Sequence, residues 1–182
     1  TLNDHTMFRL KGKDEIYQVV GSQRYAFERE VKNWRKREIV EFKQEQARKL
    51  EIIGAGGAIT LSRKDEKASW KVDASATPVK TLDDKAVSDV LRALSSLSAF
   101  KFADKKKPAE AGLDKPVNTL KVTLADKKVH TLLVGATKGD ETWLQAGGKP
   151  QVFVVQKHTA KDLLKRPIDF RDKTVLTFKE DA

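Results

Sequence analysis

The feature that most constrains the fold of this chain is an internal repeat. Residues 1–42 align with residues 137–178 without a gap, at an offset of 136 positions. The aligned pairs include Thr1 with Thr137, Asp4 with Asp140, Thr6 with Thr142, Gly12 with Gly148, Ile16 with Val152, Tyr17 with Phe153, Phe27 with Leu163, and Phe42 with Phe178. Identities are few, but the apolar positions stay in register, which is typical of one fold encoded twice.

The repeat spacing has the size of an ordinary domain, so it predicts tandem domains rather than a stacked solenoid. We expect residues 1–45 to be the C-terminal part of a preceding copy and residues 46–182 to form one complete repeat unit. On this interpretation the chain is a fragment of a longer protein, and a missing signal sequence says nothing about its parent.

An aromatic residue followed by arginine occurs at the same place in both copies, as Trp34-Arg35 and Phe170-Arg171. A functional interpretation gives the arginine a carboxylate or phosphate ligand. A structural interpretation has the ring fill the core, while the arginine pairs with a nearby carboxylate. Occurrence in both copies favours the structural interpretation, in which these four residues are anchors of the repeat, because a ligand site need not recur in every unit.

Alternating apolar and polar residues predict short strands joined by turns along most of the chain. Residues 6–20 predict a hairpin around a turn that contains Gly12, and residues 50–72 predict a three-stranded meander. Residues 135–140 are expected to form a loop. Further strands are expected at residues 38–42, 99–102, 120–124, 129–134, 142–146, 151–155 and 174–178.

The clearest helix is expected over residues 83–97, where apolar residues recur at helical spacing and Asp83, or Thr81 with Asp84, can cap the first turn. A weaker helix is expected at 22–31, and a short one at 159–165 with a Thr159–Asp162 capping box. The predicted fold class is therefore α+β: a mostly antiparallel sheet of hairpins and meanders, with one main helix and short helices packed on one face.

The net charge of +10 arises mostly from lysine, with 26 Lys against 10 Arg. Nucleic-acid readers favour the bidentate guanidinium group, whereas solvated surfaces use lysine freely. The lysines are spread along the chain, and residues 105–107 form the one tight run. We therefore expect a soluble surface with some attraction to anionic partners, and no nucleic-acid partner.

No catalytic, metal or cofactor motif is recognisable in the sequence. The three histidines are far apart, there is no cysteine, and no Gly-x-Ser-x-Gly motif occurs. Gly54-Ala55-Gly56 lacks the third glycine of a dinucleotide fingerprint and is followed by strand periodicity, so it predicts a hairpin turn. We expect no enzyme activity and no cofactor. A hydrolase built on distant carboxylates that meet in the fold is an alternative.

The region from about Ile59 to Phe178 resembles domain-of-unknown-function family 4340, a bacterial family often found in tandem copies behind an N-terminal membrane anchor. The elements that carry the resemblance are Trp70, the helix start Leu82-Asp83 with Val87 and Leu91, the segment Ala111-Gly112-Leu113-Asp114-Lys115-Pro116, Leu133-Val134-Gly135, and Phe170-Arg171-Asp172-Lys173. The family has no established catalytic residues, so the resemblance supplies none.

Some members of this family look like auxiliary components of ABC transporters, including those linked to gliding motility. The resemblance therefore implies a non-enzymatic scaffolding or interaction module outside the cytoplasmic membrane. Its expected partner is a protein of the cell envelope, and the membrane is reached only through a segment outside this fragment. The candidate interaction loop is Gly112, Leu113, Asp114 and Pro116, or else an unpaired sheet edge. An alternative is a domain that binds nucleic acid or another anionic polymer through its net positive charge.

Overall fold

The computed structural model describes residues 5–21, 23, 28, 30 and 34–173. The chain divides into two compact units, Thr1–Lys36 and Arg37–Ala182. The helix predicted at residues 22–31 falls largely outside the described residues, and the strand predicted at 174–178 falls wholly outside them. The division at residues 45 and 46 stays a prediction.

The first unit contains the predicted N-terminal hairpin. Strand β1 (His5–Arg9) pairs antiparallel with β2 (Ile16–Val20), with His5 opposite Val20 and Arg9 opposite Ile16. The turn is closed by a hydrogen bond from the amide of Lys13 to the carbonyl of Leu10, and Gly12 has a φ of +84° that a residue without a Cβ adopts easily.

The second unit is built on one antiparallel sheet. Its strands are β3 (Ala47–Gly54), β4 (Gly57–Ser62), β5 (Lys71–Ser75), β6 (Lys101–Phe102), β7 (Asn118–Leu124), β8 (Val129–Lys138), β9 (Glu141–Ala146) and β10 (Val152–Gln156). Among the described residues these eight strands lie in the order β5-β4-β3-β7-β8-β9-β10-β6, and every neighbouring pair is antiparallel.

The main helix α1 (Asp84–Ser95) confirms the predicted one to within two residues. Asp83 is its N-cap: the carboxylate accepts hydrogen bonds from the amides of Lys85 and Ala86 at 2.9 and 3.2 Å. The face that α1 buries consists of Ala86, Val87, Val90, Leu91 and Leu94. The residues that recur at helical spacing are thus the ones removed from water, which is what stabilises an amphipathic helix in a protein.

The core lies between α1 and the inner face of the sheet. Leu50 and Ile52 of β3, Leu120 of β7 and Leu144 of β9 are fully buried there. Shorter helical segments complete this layer: α2 (Lys157–Ala160) and 3-10 turns at Gln44–Gln46, Lys161–Leu164 and Pro167–Phe170. The predicted α+β class is confirmed.

Three local predictions are wrong. Residues 38–42 form an isolated bridge between Glu38 and Ser98 rather than a strand, and Ile39 is buried in the core of the second unit. The loop predicted at 135–140 belongs largely to β8, which continues to Lys138 through an irregularity in its pairing between Val134 and Thr137. The irregularity breaks the simple alternation on which the sequence prediction depended.

The short helix predicted at residues 159–165 is present to within two residues, and the third correction concerns its cap. The helical segment begins earlier, at Lys157, and continues as a 3-10 turn over Lys161–Leu164. Thr159 lies inside this helical segment, and the residue at the N-cap position is Gln156, which makes no side-chain capping bond. The predicted Thr159–Asp162 capping box is therefore not present. At the start of the next 3-10 turn, the amide of Arg166 donates a hydrogen bond to the carboxylate of Asp169 at 2.9 Å.

Candidate functional site

The two hairpins related by the internal repeat have the same strand pairing. Adding 136 to the numbers of β1 and β2 gives residues 141–145 and 152–156, which are paired in β9 and β10. His5 lies opposite Val20, and Glu141 lies opposite Gln156. Every other pair follows in the same register, and Gly148 has a φ of +75° where Gly12 has +84°. The hairpin part of the repeat seen in the sequence therefore also recurs in the backbone structure.

The environments of the two hairpins differ strongly. Strand β10 is bounded by β9 on one side and β6 on the other, and Val152, Phe153, Val154 and Val155 are all buried. Within the residues that the structure describes, strand β2 pairs with β1 alone, and all five of its side chains are exposed.

The repeat anchors also differ between the copies. Phe170 is fully buried, and its carbonyl accepts a hydrogen bond from the amide of Asp83 at 2.9 Å, which ties the segment to the start of α1. Arg171 forms an isolated antiparallel β-bridge with Leu82 through the backbone. Trp34 is 64% exposed, so the buried ring expected of a repeat anchor is not found in the first copy. The neighbouring Arg35 does have an interaction partner. The shared role of Trp34, Arg35, Phe170 and Arg171 as repeat anchors stays a prediction.

Part of the outer face of the sheet, opposite the core, is polar, and the exposed apolar side chains Ile53 and Val129 border it. Neighbouring strands place Thr60 beside Glu51, Glu51 beside Lys121, and Lys121 beside Thr131. A second row follows two residues along each strand. We call this surface the platform; it consists of Lys49, Glu51, Thr60, Ser62, Thr119, Lys121, Thr123 and Thr131, all half-buried.

The platform carries little net charge for so basic a chain. The ammonium group of Lys49 lies 3.3 Å from the carboxylate of Glu51, and Lys121 is the cross-strand neighbour of the same carboxylate. Two cations thus flank one anion, among threonine and serine hydroxyls that can both donate and accept hydrogen bonds. Alternation within each strand signals such a face, but the order of the strands was needed to show which side chains meet.

The predicted interaction loop lies at one end of this outer face. Gly112 has a φ of +68° and ends a short 3-10 turn at Ala109–Ala111 in the left-handed conformation that favours glycine. Leu113 is buried with Ala111 and Val152, and Leu133 and Trp143 pack against them. Leu113 is therefore an anchor for the loop rather than a contact for a partner.

The rest of the loop is accessible. Asp114 and Lys115 are exposed, and Pro116 is half-buried. Val117, which follows the loop, is also exposed. Asp114 and Pro116 are thus the predicted loop residues that remain available to a partner, whereas Gly112 positions the turn.

A cavity of about 760 Å³ opens where β10 leads into α2. It is lined by Asp140, Gln156, Lys157, His158, Lys161 and Leu164. The amide of Lys157 donates a hydrogen bond to the carbonyl of Asp140 at 2.8 Å and closes one end of the cavity. By sequence alignment, the first copy has Val20 and Gly21 in place of Gln156 and Lys157, so this polar lining belongs to the second copy.

His130 lies on the inner side of β8, on the same face as the buried Leu132 and opposite Val122 of β7. Its ring stacks on Phe42, with ring centroids 5.7 Å apart, and within the described part of the chain its Nε2 is buried without a hydrogen-bond partner. Burial, reinforced by the positive charge of Lys128, lowers the pKa of His130 below its ordinary value.

Among the described residues, no group of three histidine, aspartate or glutamate side chains is placed to hold a metal ion. None of the helices in the described ranges is long and apolar enough to cross a membrane.

An antiparallel α+β fold with a duplicated hairpin of identical register defines a tandem-repeat protein. The chain belongs to the family described as Domain of unknown function (DUF4340), whose model matches it in two segments, residues 2–116 and 117–182. The family resemblance drawn from the sequence is thus confirmed. No curated protein and no solved structure matches the chain significantly.

Proposed function

We propose that this chain is a non-enzymatic interaction module that acts outside the cytoplasmic membrane as a scaffold for a protein complex of the cell envelope, such as an ABC transporter. The observation that carries this proposal is the platform, a polar part of the outer face of an eight-stranded sheet whose other face is covered by α1. The family resemblance supplies the cellular setting.

The chemistry of the platform suits a protein partner. Hydroxyl groups and one charged triplet of Lys49, Glu51 and Lys121 offer directional hydrogen bonds without a strong field of one sign. Such a surface gives a polar interface its specificity. The exposed Asp114 of the interaction loop extends the available contact surface at one end.

The proposed function is tested with the full-length natural protein, purified from its own membranes with a mild detergent. We expect an ABC permease or ATPase to co-purify in constant proportion. The variants Lys121→Glu and Thr119→Arg should weaken that association at least about tenfold, because the first adds repulsion at the centre of the platform and the second adds bulk at one end of it. Lys67→Glu, which makes the same charge change in the exposed turn between β4 and β5, should have no such effect.

Two results would contradict the proposal. One is a full-length protein that fractionates away from membranes with no transporter subunit attached. The other is co-purification that Lys121→Glu and Lys67→Glu affect equally, since the platform would then have no special part in it. Circular dichroism of each variant shows that the fold is retained.

The alternative function, binding of nucleic acid or another anionic polymer through the net positive charge, is tested by a titration of the protein with single- and double-stranded oligonucleotides at several salt concentrations. A dedicated site gives a steep dependence of log affinity on log salt, because bound counterions are released. The proposal expects weak binding with a shallow slope. Lys105 and Lys106 of the lysine run line a cavity of about 500 Å³ together with the acidic residues Asp104 and Glu110. Lys106 also lies over the ring of Trp143, 4.9 Å from its centroid.

A further inference from the structure

The β1–β2 hairpin has the strand pattern of a sheet interior but lacks the neighbours of one. On β9–β10, which has the same register, β8 pairs along the edge of β9 and β6 pairs along the edge of β10. In the described part of the chain, β1 and β2 pair only with each other. As far as the described residues go, both outer edges of this hairpin therefore present backbone donors and acceptors toward another strand.

The side chains of the hairpin are those of a buried element. Tyr17 and Val19 are 45% and 38% exposed, while their counterparts Phe153 and Val155 are 6% and 1% exposed. On the opposite face Ile16 is 68% exposed, and its counterpart Val152 is 2% exposed beneath Leu113. The hairpin thus has apolar side chains on both faces, as expected of a strand pair that is covered on both.

A two-stranded hairpin alone is only marginally stable in water. The edge formed by β2 also lacks the usual protection against further pairing: its sequence is Ile-Tyr-Gln-Val-Val, with no proline and no charged residue. By contrast, the short strand β6 that closes the edge of β10 begins with an exposed lysine, Lys101.

We propose that the β1–β2 hairpin accepts two strands from a further copy of the same repeat, located N-terminal to it in the parent protein. One donor strand is equivalent to β8 and pairs with β1; the other is equivalent to β6 and pairs with β2. The register follows from the second copy. The donor residue equivalent to Val134 lies opposite Phe8, and the donor residues equivalent to Phe102 and Lys101 lie opposite Tyr17 and Gln18.

This inference is independent of the proposed scaffold function, because it concerns how a repeat is completed rather than what the platform binds. The gapless offset suggests a direct test. A second copy of residues 37–136 is inserted before Thr1, so that Ala136 joins Thr1 just as it joins Thr137 in the natural sequence. The natural 182-residue chain serves as the reference.

Hydrogen exchange followed by mass spectrometry gives the first readout. In the natural chain, peptides that cover β1 and β2 should exchange much faster than those that cover β9 and β10. In the extended chain, hydrogen exchange in the first hairpin should become at least tenfold slower and approach the exchange rate of the second hairpin. A hairpin that exchanges as fast as before, whether or not the inserted segment folds, would overturn the proposal.

The chain has no cysteine, so engineered disulfides give an independent readout of register. In the extended chain, Lys101→Cys in the inserted copy combined with Gln18→Cys should oxidise readily. The matched pair, Lys101→Cys with Val20→Cys, is displaced by two residues along the strand and should oxidise at least tenfold more slowly. Equal rates for the two pairs would overturn the proposed register.

Self-association provides a third readout. If β2 paired instead with β2 of another molecule, the natural chain would dimerise as its concentration rises and the hairpin would become protected in the dimer. That result would show that the free edge of β2 pairs with a second molecule, and it would overturn the proposal. We expect the natural chain to stay monomeric in light scattering at micromolar concentration.

Discussion

Asn118 and Leu163 are joined by a buried hydrogen bond. The Nδ2 atom of Asn118, at the start of β7, donates to the carbonyl oxygen of Leu163 across 3.0 Å. Asn118 is 5% exposed and Leu163 is fully buried, so neither group can exchange its partner for water. The bond fixes the 3-10 turn at 161–164 against the end of the sheet.

The first prediction concerns that bond. Asn118→Ala leaves the carbonyl of Leu163 without its side-chain donor in the interior, and we expect a loss of about 1–3 kcal/mol in the free energy of unfolding. Urea denaturation measures it. Lys115→Ala, an exposed change in the preceding loop, should stay within about 0.5 kcal/mol of the parent. A similarly small change for Asn118→Ala would show that the bond contributes little to stability.

The second prediction concerns Gly135, where β8 passes beneath the interaction loop. A Cβ at this position would lie 2.2 Å from the carbonyl oxygen of Ala111 and 3.1 Å from a side-chain carbon of Leu113. Gly135→Ala should therefore displace the loop, destabilise the protein by about 1–3 kcal/mol, and expose Leu113. Thermal unfolding and proteolysis of residues 104–116 check both effects. Lys138→Ala, an exposed change at the end of the same strand, is the control.

The third prediction concerns the cap of the main helix. Asp83→Ala removes the acceptor for the amides of Lys85 and Ala86 and should cost about 1 kcal/mol. Asp83→Asn keeps a capping oxygen and should recover most of that loss in urea denaturation. If Asp83→Asn destabilises the protein as much as Asp83→Ala, the negative charge at the helix terminus matters more than the hydrogen bonds.

The fourth prediction concerns pH. The pKa of His130 is lowered in the folded protein, first by burial and then by Lys128, so folding favours the neutral ring. The resulting stability is fully present above the unfolded value near pH 6.5 and is lost as the pH falls through the lower folded pKa. The urea midpoint of the parent should therefore drop between about pH 7 and pH 5.

The matched variant for that experiment is His130→Phe, which keeps an aromatic ring against Phe42 and removes the titrating group. Its urea midpoint should depend less on pH over the same window. His158→Phe, which changes a histidine at the exposed start of α2, should leave the pH dependence of the parent in place. Parallel curves for the parent and His130→Phe would exclude His130 as the source.

The local secondary-structure elements could be predicted from the sequence, because the interactions that form them join residues a few positions apart. The helix over 84–95, its cap at Asp83 and the left-handed turn at Gly112 all follow from spacing and residue type. The internal repeat could also be recognised in the sequence, since the positions of apolar residues are kept between the two copies even where the residues themselves differ. Its register then appeared unchanged in the backbone.

Only the tertiary structure decided which strands become neighbours. The pairing of β3 with β7 and of β10 with β6 joins residues far apart in sequence, and nothing local encodes it. The same long-range pairing creates the platform, carries β8 past Gly135, buries Leu113, and leaves β2 exposed where β10 is enclosed. A strand sequence specifies which side chains share a face, but whether that face is buried depends on the partners that the rest of the fold supplies.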